Sequence, residues 1–504
     1  MNSAVNSPAK QRAPRTGRQP QPDRRVAVVY RSLRELRADP ANPRVHSPRQ
    51  IRQIAESIEV FGFNVPVLID ANLNVIAGHG RLKACELLGW SEVPTIVLDH
   101  LSSAQTRAFM LADNRLTEKS QWDDQLLGEQ LHALSLLDLD FDLEVTGFDM
   151  GEIDFRIEQL TSTAEDQAAE QLPPLPPGPP VTCLGDTWLL GEQRVHCGSA
   201  LEPSAFSTLM QGQRARAVFI DPPYNVPIAG NVSGLGTVKH GEFIMGSGEM
   251  SEAEYTSFLV KACSLHTQHS TDGALHFVCM DWRHLAELLA AGRAAHYKLE
   301  NLCVWAKDTP AMGSFYRSQH ELIFVFKHGH RPHRNNIRLG QYGRNRSNVW
   351  QYPGANSFSR TSEEGNLLAL HATPKPVAMV ADAIVDCTSR HDIVLDGFLG
   401  SGTTVIAAER TGRRCFGLEL DPLFVDTIVR RWQAFTRMDA RHATSGRSFK
   451  ELMVEVNKNP RGGAKCGPRR RLGMPSAADS GTEEWLGDKS RLSRRKKRQA
   501  PEGA

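Results

Sequence analysis

An acidic side chain, two prolines and an aromatic ring follow one another at Asp221-Pro222-Pro223-Tyr224, directly after the apolar run Ala217–Ile220. Two prolines stop a strand at once, because proline neither donates to a ladder nor continues one. The tetrad therefore stands at the C-terminal edge of a sheet, where open α/β sheets bind ligands. It suits attack by a weak amino nucleophile. The exocyclic amine of a nucleobase has its lone pair delocalised into the ring. The Asp221 carboxylate and a carbonyl held out by the prolines can both accept from that NH2, drawing the nitrogen toward tetrahedral geometry. Tyr224 can stack on the base face, worth roughly 1–3 kcal/mol. A base presented in this way has left its duplex. The plainer alternative is a strand end with a solvated carboxylate and a packing tyrosine.

A second set lies downstream. The apolar strand Val394-Leu395-Asp396 runs into Gly397-Phe398-Leu399-Gly400-Ser401-Gly402, and a helix begins near Thr403. Glycines let backbone approach a ligand closely, and a helix N-terminus favours an anionic group. About 20 residues past the turn, the strand Cys415–Leu418 ends in Glu419, a spacing at which an acid can bond a ribose diol. The plainer alternative is a glycine-rich packing turn. No Gly-Lys-Ser/Thr ending is present, so a phosphate-binding loop is a poor match. Val405 stands where a dinucleotide fingerprint has its third glycine, which disfavours a pyrophosphate. S-adenosylmethionine fits better, with its carboxylate at the turn, its ribose at Glu419 and its ammonium at Asp396. The chemistry needs no metal.

Asp221-Pro222-Pro223-Tyr224 and Phe398-x-Gly400-x-Gly402-Thr403 together resemble the amino-group DNA methyltransferases. The catalytic motif precedes the cofactor motif, as in their beta class. His371-Ala372-Thr373-Pro374-Lys375-Pro376 resembles the motif of that class that also lines the cofactor pocket, which implies Thr373 and Lys375 as cofactor contacts. The resemblance covers about residues 182–437. It implies transfer of a methyl group to an exocyclic amine in double-stranded DNA, with Phe398 packed near the cofactor. Adenine N6 is favoured because Asp, rather than Ser, opens the catalytic motif. Cytosine N4 is the alternative target. The alternative of another class is a DNA-binding regulator with an inactive methyltransferase domain. A homodimer and a cognate restriction endonuclease, as in restriction–modification, are partners the resemblance allows.

These motifs need elements to carry them. A chain of 504 residues implies two or more domains at ~100–200 residues each. The formal charge of +2 makes any DNA surface local rather than global. The nine cysteines are scattered without paired or metal-binding spacing, which suggests a reduced, intracellular protein; a cytoplasmic, nucleoid-associated location is expected. No apolar run is long enough to span a membrane. Residues 1–25 read as a disordered basic arm, 161–180 as a Pro-rich linker and 438–504 as a disordered basic tail.

The segment 26–160 reads as a compact α+β unit. Asn42-Pro43-Arg44 and Gly78-His79-Gly80-Arg81 resemble the ParB-like N-terminal domain, whose equivalent glycine turn opens a phosphate-binding helix. Partition proteins of that family carry an acidic-arginine-arginine run after the glycine. The departure here points to a DNA-binding or regulatory role rather than nucleotide hydrolysis. Residues 103–121 read as a helix with a polar break, and Asp113-Asn114-Arg115 resembles a run found in such fused domains.

The expected fold is α/β: a Rossmann-like S-adenosylmethionine-dependent methyltransferase sheet over 181–437, with the smaller ParB-like domain before it. Residues 226–250 are glycine-rich and suit a lid or DNA clamp. Residues 306–365 interleave basic and aromatic side chains, as DNA recognition would require.

Overall fold

The computed structural model describes residues 26–40, 42–160, 168–173, 178–226, 248–310, 315–354 and 375–458. The basic arm, most of the Pro-rich linker, nearly all of the glycine-rich segment, Thr373 and the end of the chain from 459 lie outside the described residues.

The N-terminal unit is built on four strands: β1 (Val28–Ser32), β2 (Val67–Ile69), β3 (Val75–Ala77) and β4 (Glu92–Val97), in the order β1-β4-β2-β3. Helix α1 (Pro48–Phe61) starts where the Ser47 side chain accepts from Gln50 N–H and Pro48 takes the first turn, where its missing N–H costs nothing. Its Ala55 and Ile58 join Val67, Ile69 and Val75 in one small core, closed by α2 (His79–Leu88). Helix α3 (Ser103–Glu118) is continuous, so the expected polar break is absent. The Asn114 amide instead bonds back to Met110 O at 2.9 Å and accepts from Arg44 at 3.0 Å. Two sequence runs far apart in the chain are thereby joined. Helices α4 (Asp124–Ser135) and α5 (Met150–Glu158) follow, packed around Leu131, Leu143, Ile153 and Ile157.

The larger unit holds strands β5 (Thr187–Leu190), β6 (Gln193–Cys197), β7 (Ala215–Ile220), β8 (Ser270–Met280), β9 (Lys298–Ala306), β10 (His320–Lys327), β11 (Val349–Gln351), β12 (Ile393–Asp396), β13 (Arg414–Glu419) and β14 (Arg441–His442). They form one sheet in the order β11-β9-β10-β8-β7-β12-β13-β6-β5-β14. The central run β8-β7-β12-β13-β6 is parallel. Strand β10 runs antiparallel to both its neighbours, and β5 and β14 are antiparallel at the other end. The sheet is thus mixed, with its parallel part where α/β crossovers cover both faces. Two apolar layers, one on each face, hold Trp188, Trp305 and Trp432 on one side and Phe206, Tyr255 and Phe324 on the other. Among the described residues, no helix is long and apolar enough to cross a membrane.

Helix α5 is set into the larger unit by buried charge. Asp154 receives Arg413 through both oxygens, at 2.9 and 2.6 Å, and Arg390 at 3.3 Å. Gly151 lets the helix touch the backbone: a Cβ there would lie 2.6 Å from Asn336 O.

Two expectations change here. Part of the basic and aromatic stretch expected to read DNA is paired within the protein, while Tyr316 and Arg331 are exposed. Arg344 bonds Glu158, Asp382 and Asp386, Arg346 bonds Asp382 and Asp386, and Tyr342 bonds Asp149. Each cation there finds a carboxylate in a partly dry junction, which fixes it more firmly than solvent would. Residues 438–458, expected within a disordered tail, are ordered. Strand β14 pairs with β5, and Phe449, on the helix Phe449–Lys458, is buried against the Trp188 ring at 5.2 Å. Part of the linker is also docked: Ala169 is buried, and its carbonyl accepts from Arg431 at 2.9 Å.

Candidate active site

Strands β7, β12 and β13 are parallel neighbours, and each ends in a carboxylate: Asp221, Asp396 and Glu419. From β7 the chain crosses to β8 on one side, and from β12 it crosses to β13 on the other. A crevice opens at the C-terminal edge where the winding reverses, the usual ligand position in such sheets.

At the first strand end, charge is concentrated and dry. Lys375 Nζ lies 2.5 Å from Asp221 Oδ2 and 3.2 Å from Glu321 Oε2. Lys307 Nζ lies 2.5 Å from Glu321 Oε1. The Tyr224 hydroxyl is 2.6 Å from Asp221 Oδ1 and 3.2 Å from Glu321 Oε2. Burial works against the Lys375 charge, but Asp221 and Glu321 outweigh it and hold the ammonium well above its ordinary range. Burial also opposes the Glu321 charge, yet Lys375 and Lys307 bring that carboxyl down to about 2. Asp221 is pushed up by burial, against the pull of Lys375.

Among the described residues, the second and third strand ends have no such cations. Asp396 accepts from Phe398 N–H at 2.8 Å and from the Thr404 hydroxyl at 2.6 Å. Glu419 accepts from Gly400 N–H and Asp421 N–H, both at 2.8 Å. Burial pushes each carboxyl up to about 7. Two buried carboxylates raised this far form a donor set suited to a ligand that brings a cation and hydroxyl groups. Each Glu419 oxygen keeps a second lone pair for a hydroxyl. Gly402 shapes the turn between them, with φ of +80° and with Ile428 only 2.9 Å from where a Cβ would sit. Gly402→Ala is therefore expected to cost about 1–3 kcal/mol and to weaken ligand binding at the turn. A thermal melt beside a binding titration checks both.

A family model described as DNA methylase matches residues 215–430, which contain all three strand ends. A ParB N-terminal domain model matches 19–115, and a ParB-methyltransferase HTH domain model matches 125–184. This chain belongs to the N6/N4 DNA methylases, with a ParB-like N-terminal domain. The ParB-like nuclease domain-containing protein YnaK of Escherichia coli (strain K12) is 47% identical over 81 residues, 16% of this chain and 93% of that protein. The type II methyltransferase M2.MboI of Moraxella bovis is 26% identical over 245 residues, 46% of this chain and 85% of that protein. Among solved structures, the PvuII cytosine-N4-specific DNA methyltransferase overlays with a TM-score of 0.37 at 15% identity, covering 56% of this chain and 95% of that one. The methylase acts on DNA, and its methyl donor is S-adenosylmethionine.

In the methylase, the residues expected at the site are placed as follows. Asp221, Asp396, Gly400, Gly402, Thr403 and Glu419 lie together along the sheet edge, and Thr403 Oγ1 donates to Lys375 O at 3.2 Å. Thr373 lies outside the described residues. Lys375 borders the same crevice, but its ammonium points to Asp221 and Glu321. Tyr224 was expected as a stacking surface. Its hydroxyl is instead tied to Asp221, and its ring centre lies 5.5 Å from Lys375 Nζ. A buried ammonium draws the ring face and the hydroxyl inward. The Pro223 carbonyl accepts from the Tyr255 hydroxyl at 2.9 Å, which fixes the elbow. The half-buried Phe398 ring packs toward Phe258 and His266.

Four residues carry weight that motif reading missed. Glu321 and Lys307 complete the charge cluster, and Thr404 orients Asp396. A carboxylate heading the apolar run Leu322–Phe326 was the available signal for Glu321. Asn225 clasps the far end of the glycine-rich segment: its side chain donates to Met250 O at 2.8 Å and accepts from Met250 N and Gly248 N.

Proposed function

We propose that the methylase is site-specific and methylates adenine N6 in double-stranded DNA. The observation that carries this reading is the juxtaposition of Asp221 with two cation-seeking carboxylates at one sheet edge. S-adenosylmethionine supplies a methyl group made electrophilic by its sulfonium. Asp396 would hold its ammonium group, Glu419 its ribose hydroxyls, and the Gly400–Gly402 turn its carboxylate. Asp221 accepts an N–H of the flipped-out amine and draws its lone pair out of the ring. Pro222 and Pro223 keep the chain extended, so the Asp221 carboxylate faces the crevice. Positioning of the nitrogen at ~3–3.5 Å from the methyl carbon supplies much of the rate. The preference for adenine rests on Asp opening the motif. We further propose residues 26–160 as the ParB-like domain, with a DNA-binding or regulatory role that departs from nucleotide hydrolysis.

The test is mass spectrometry of nucleosides from DNA of varied sequence incubated with the protein and S-adenosylmethionine. N6-methyladenine is the expected product. N4-methylcytosine would move the target to cytosine and keep the mechanism. If neither product formed while the cofactor bound, the regulator reading would replace this one.

Cofactor binding should depend on pH. A cationic ligand prefers ionised Asp396 and Glu419, and in the free protein both titrate near 7. Affinity is expected to be level above about pH 8 and to fall by up to ~10-fold per pH unit per group below 7. The raised values also mean that these two groups favour the folded, ligand-free protein below about pH 4, an advantage lost as pH rises through 7. Asp396→Asn should weaken binding at pH 8 and flatten the profile. Calorimetric titration between pH 6 and 8 checks both statements.

A further inference from the structure

Both Asp221 oxygens are engaged. Oδ2 holds Lys375 and Oδ1 holds the Tyr224 hydroxyl. Each oxygen keeps a second lone pair, but a carboxylate already neutralised by an ammonium is a weaker acceptor, so Asp221 draws hardest on an amine when one of these partners moves off. In a buried site a donor that lets go without another acceptor is costly. Both partners have the same second acceptor. Glu321 Oε2 lies 3.2 Å from Lys375 Nζ and 3.2 Å from the Tyr224 hydroxyl. The tyrosine has one proton to give, so its two acceptors are alternatives. Lys375 is held between two carboxylates and can lean toward either.

We infer that Glu321 is a positioning residue for methyl transfer: it takes over Lys375 or the Tyr224 hydroxyl when the target amine arrives, and so releases Asp221. The inference rests on the reading that Asp221 accepts the amine. Lys307 completes the device. It sits on Glu321 Oε1, above the Trp305 ring at 4.6 Å from its centre, and keeps Glu321 charged without touching Asp221. The set contains two ammonium groups and two carboxylates, so a partner can change hands with no change of net charge. No proton has to leave the site for the exchange to occur.

The charged and titratable groups around Asp221 are Lys375 and Glu321, Tyr224 on its own elbow, Cys279 of β8, Tyr255, and Asp396 of β12. Asp221 accepts an N–H more strongly when ionised than when protonated, so the rate rises with pH to a plateau. Glu321 is a like charge that raises Asp221. Glu321→Gln removes that charge and leaves Lys375 to Asp221 alone. The plateau rate of single-turnover transfer should fall on the order of 10²-fold. Its acidic limb should move to lower pH. Dissociation constants for S-adenosylmethionine and duplex DNA should stay within about twofold. Lys307→Met is the second variant, and it should act oppositely on the limb. Without Lys307, Glu321 pulls harder on Lys375, so the limb moves to higher pH.

The experiment is single-turnover methylation by the full-length protein and both variants across pH 5–9, with thermal melts alongside. An active wild type with a Glu321→Gln plateau equal to it would overturn the inference. So would a fallen plateau with both limbs unmoved, which is what a merely structural role gives. Should Glu321→Gln not fold, an unmoved or lowered limb in Lys307→Met overturns it alone. An inactive wild type, or an active Asp221→Ala, would instead remove the reading on which the inference rests.

Discussion

Asp221→Ala is expected to abolish methylation while leaving the fold and cofactor affinity in place. The carboxylate is the acidic side chain at the catalytic elbow that faces the crevice at the end of β7. On the proposed mechanism, the amine would then keep only a backbone carbonyl of the proline elbow as acceptor, without a charge to draw out its lone pair. Removing one preorganised group that meets the transition state costs ~10²–10³-fold elsewhere, and the loss here should be at least that large. The fold survives because Lys375 keeps Glu321 as a partner, 3.2 Å away, so no lone ammonium is left in the interior. Cofactor binding survives because Asp396 and Glu419 sit on the two strands beyond. Methyl transfer from labelled S-adenosylmethionine, beside a cofactor titration, measures both halves. Activity in the variant would show that the elbow acts by shape alone. A lost cofactor affinity would show that Asp221 serves the donor rather than the acceptor.

The largest effect on stability is expected from Asp154→Ala. Arg413 and Asp154 are 1% and 5% exposed, and Arg390 lies on the same carboxylate. Truncating Asp154 leaves two guanidinium groups in the interior with no carboxylate between them. Breaking a buried pair from one side costs about 3–5 kcal/mol. Because the pair lies between α5 and the start of β13, the loss should appear in the melting of both units at once. Asn at this position keeps the shape but not the charge and should recover little. Arg115→Ala is the control: its pairing with Glu118 is solvent-exposed, and its loss should stay within ~1 kcal/mol. Chemical denaturation of the three variants decides the order.

The parts of the site legible in the sequence are those made by one local stretch. Asp221 with its prolines, and Asp396, Gly400, Gly402 and Glu419 with their strand–turn–helix, each carry their geometry in neighbouring residues. Their meeting at one edge follows from parallel pairing of β7, β12 and β13. Glu321 and Lys307 were not legible, because their role depends on antiparallel β9 and β10 setting Lys307 on Glu321 and on the fold bringing Glu321 to Lys375. The inward pairing of part of the basic stretch after β10 was not legible for a related reason. Its composition suits DNA, but Arg344 and Arg346 meet Asp382 and Asp386 only through the fold. Composition records how many charges a segment has and not where the opposite charges lie. The end of the larger unit was placed too early because β14 and the Phe449 helix are short and flanked by polar residues. One aromatic ring on Trp188 holds them.

The Asn225 clasp makes the segment it closes interchangeable. One side chain grips Gly248 and Met250 across residues 227–247, so the entry and exit of that segment are fixed whatever lies between. Once ends are pinned, doubling the enclosed length costs only about 0.6 kcal/mol of closure entropy. The methylase can thus accept other lengths of chain between Asn225 and Gly248 without redrawing the Asp221–Tyr224 elbow beside them. Variation in that length can then proceed separately from variation in the residues of the elbow.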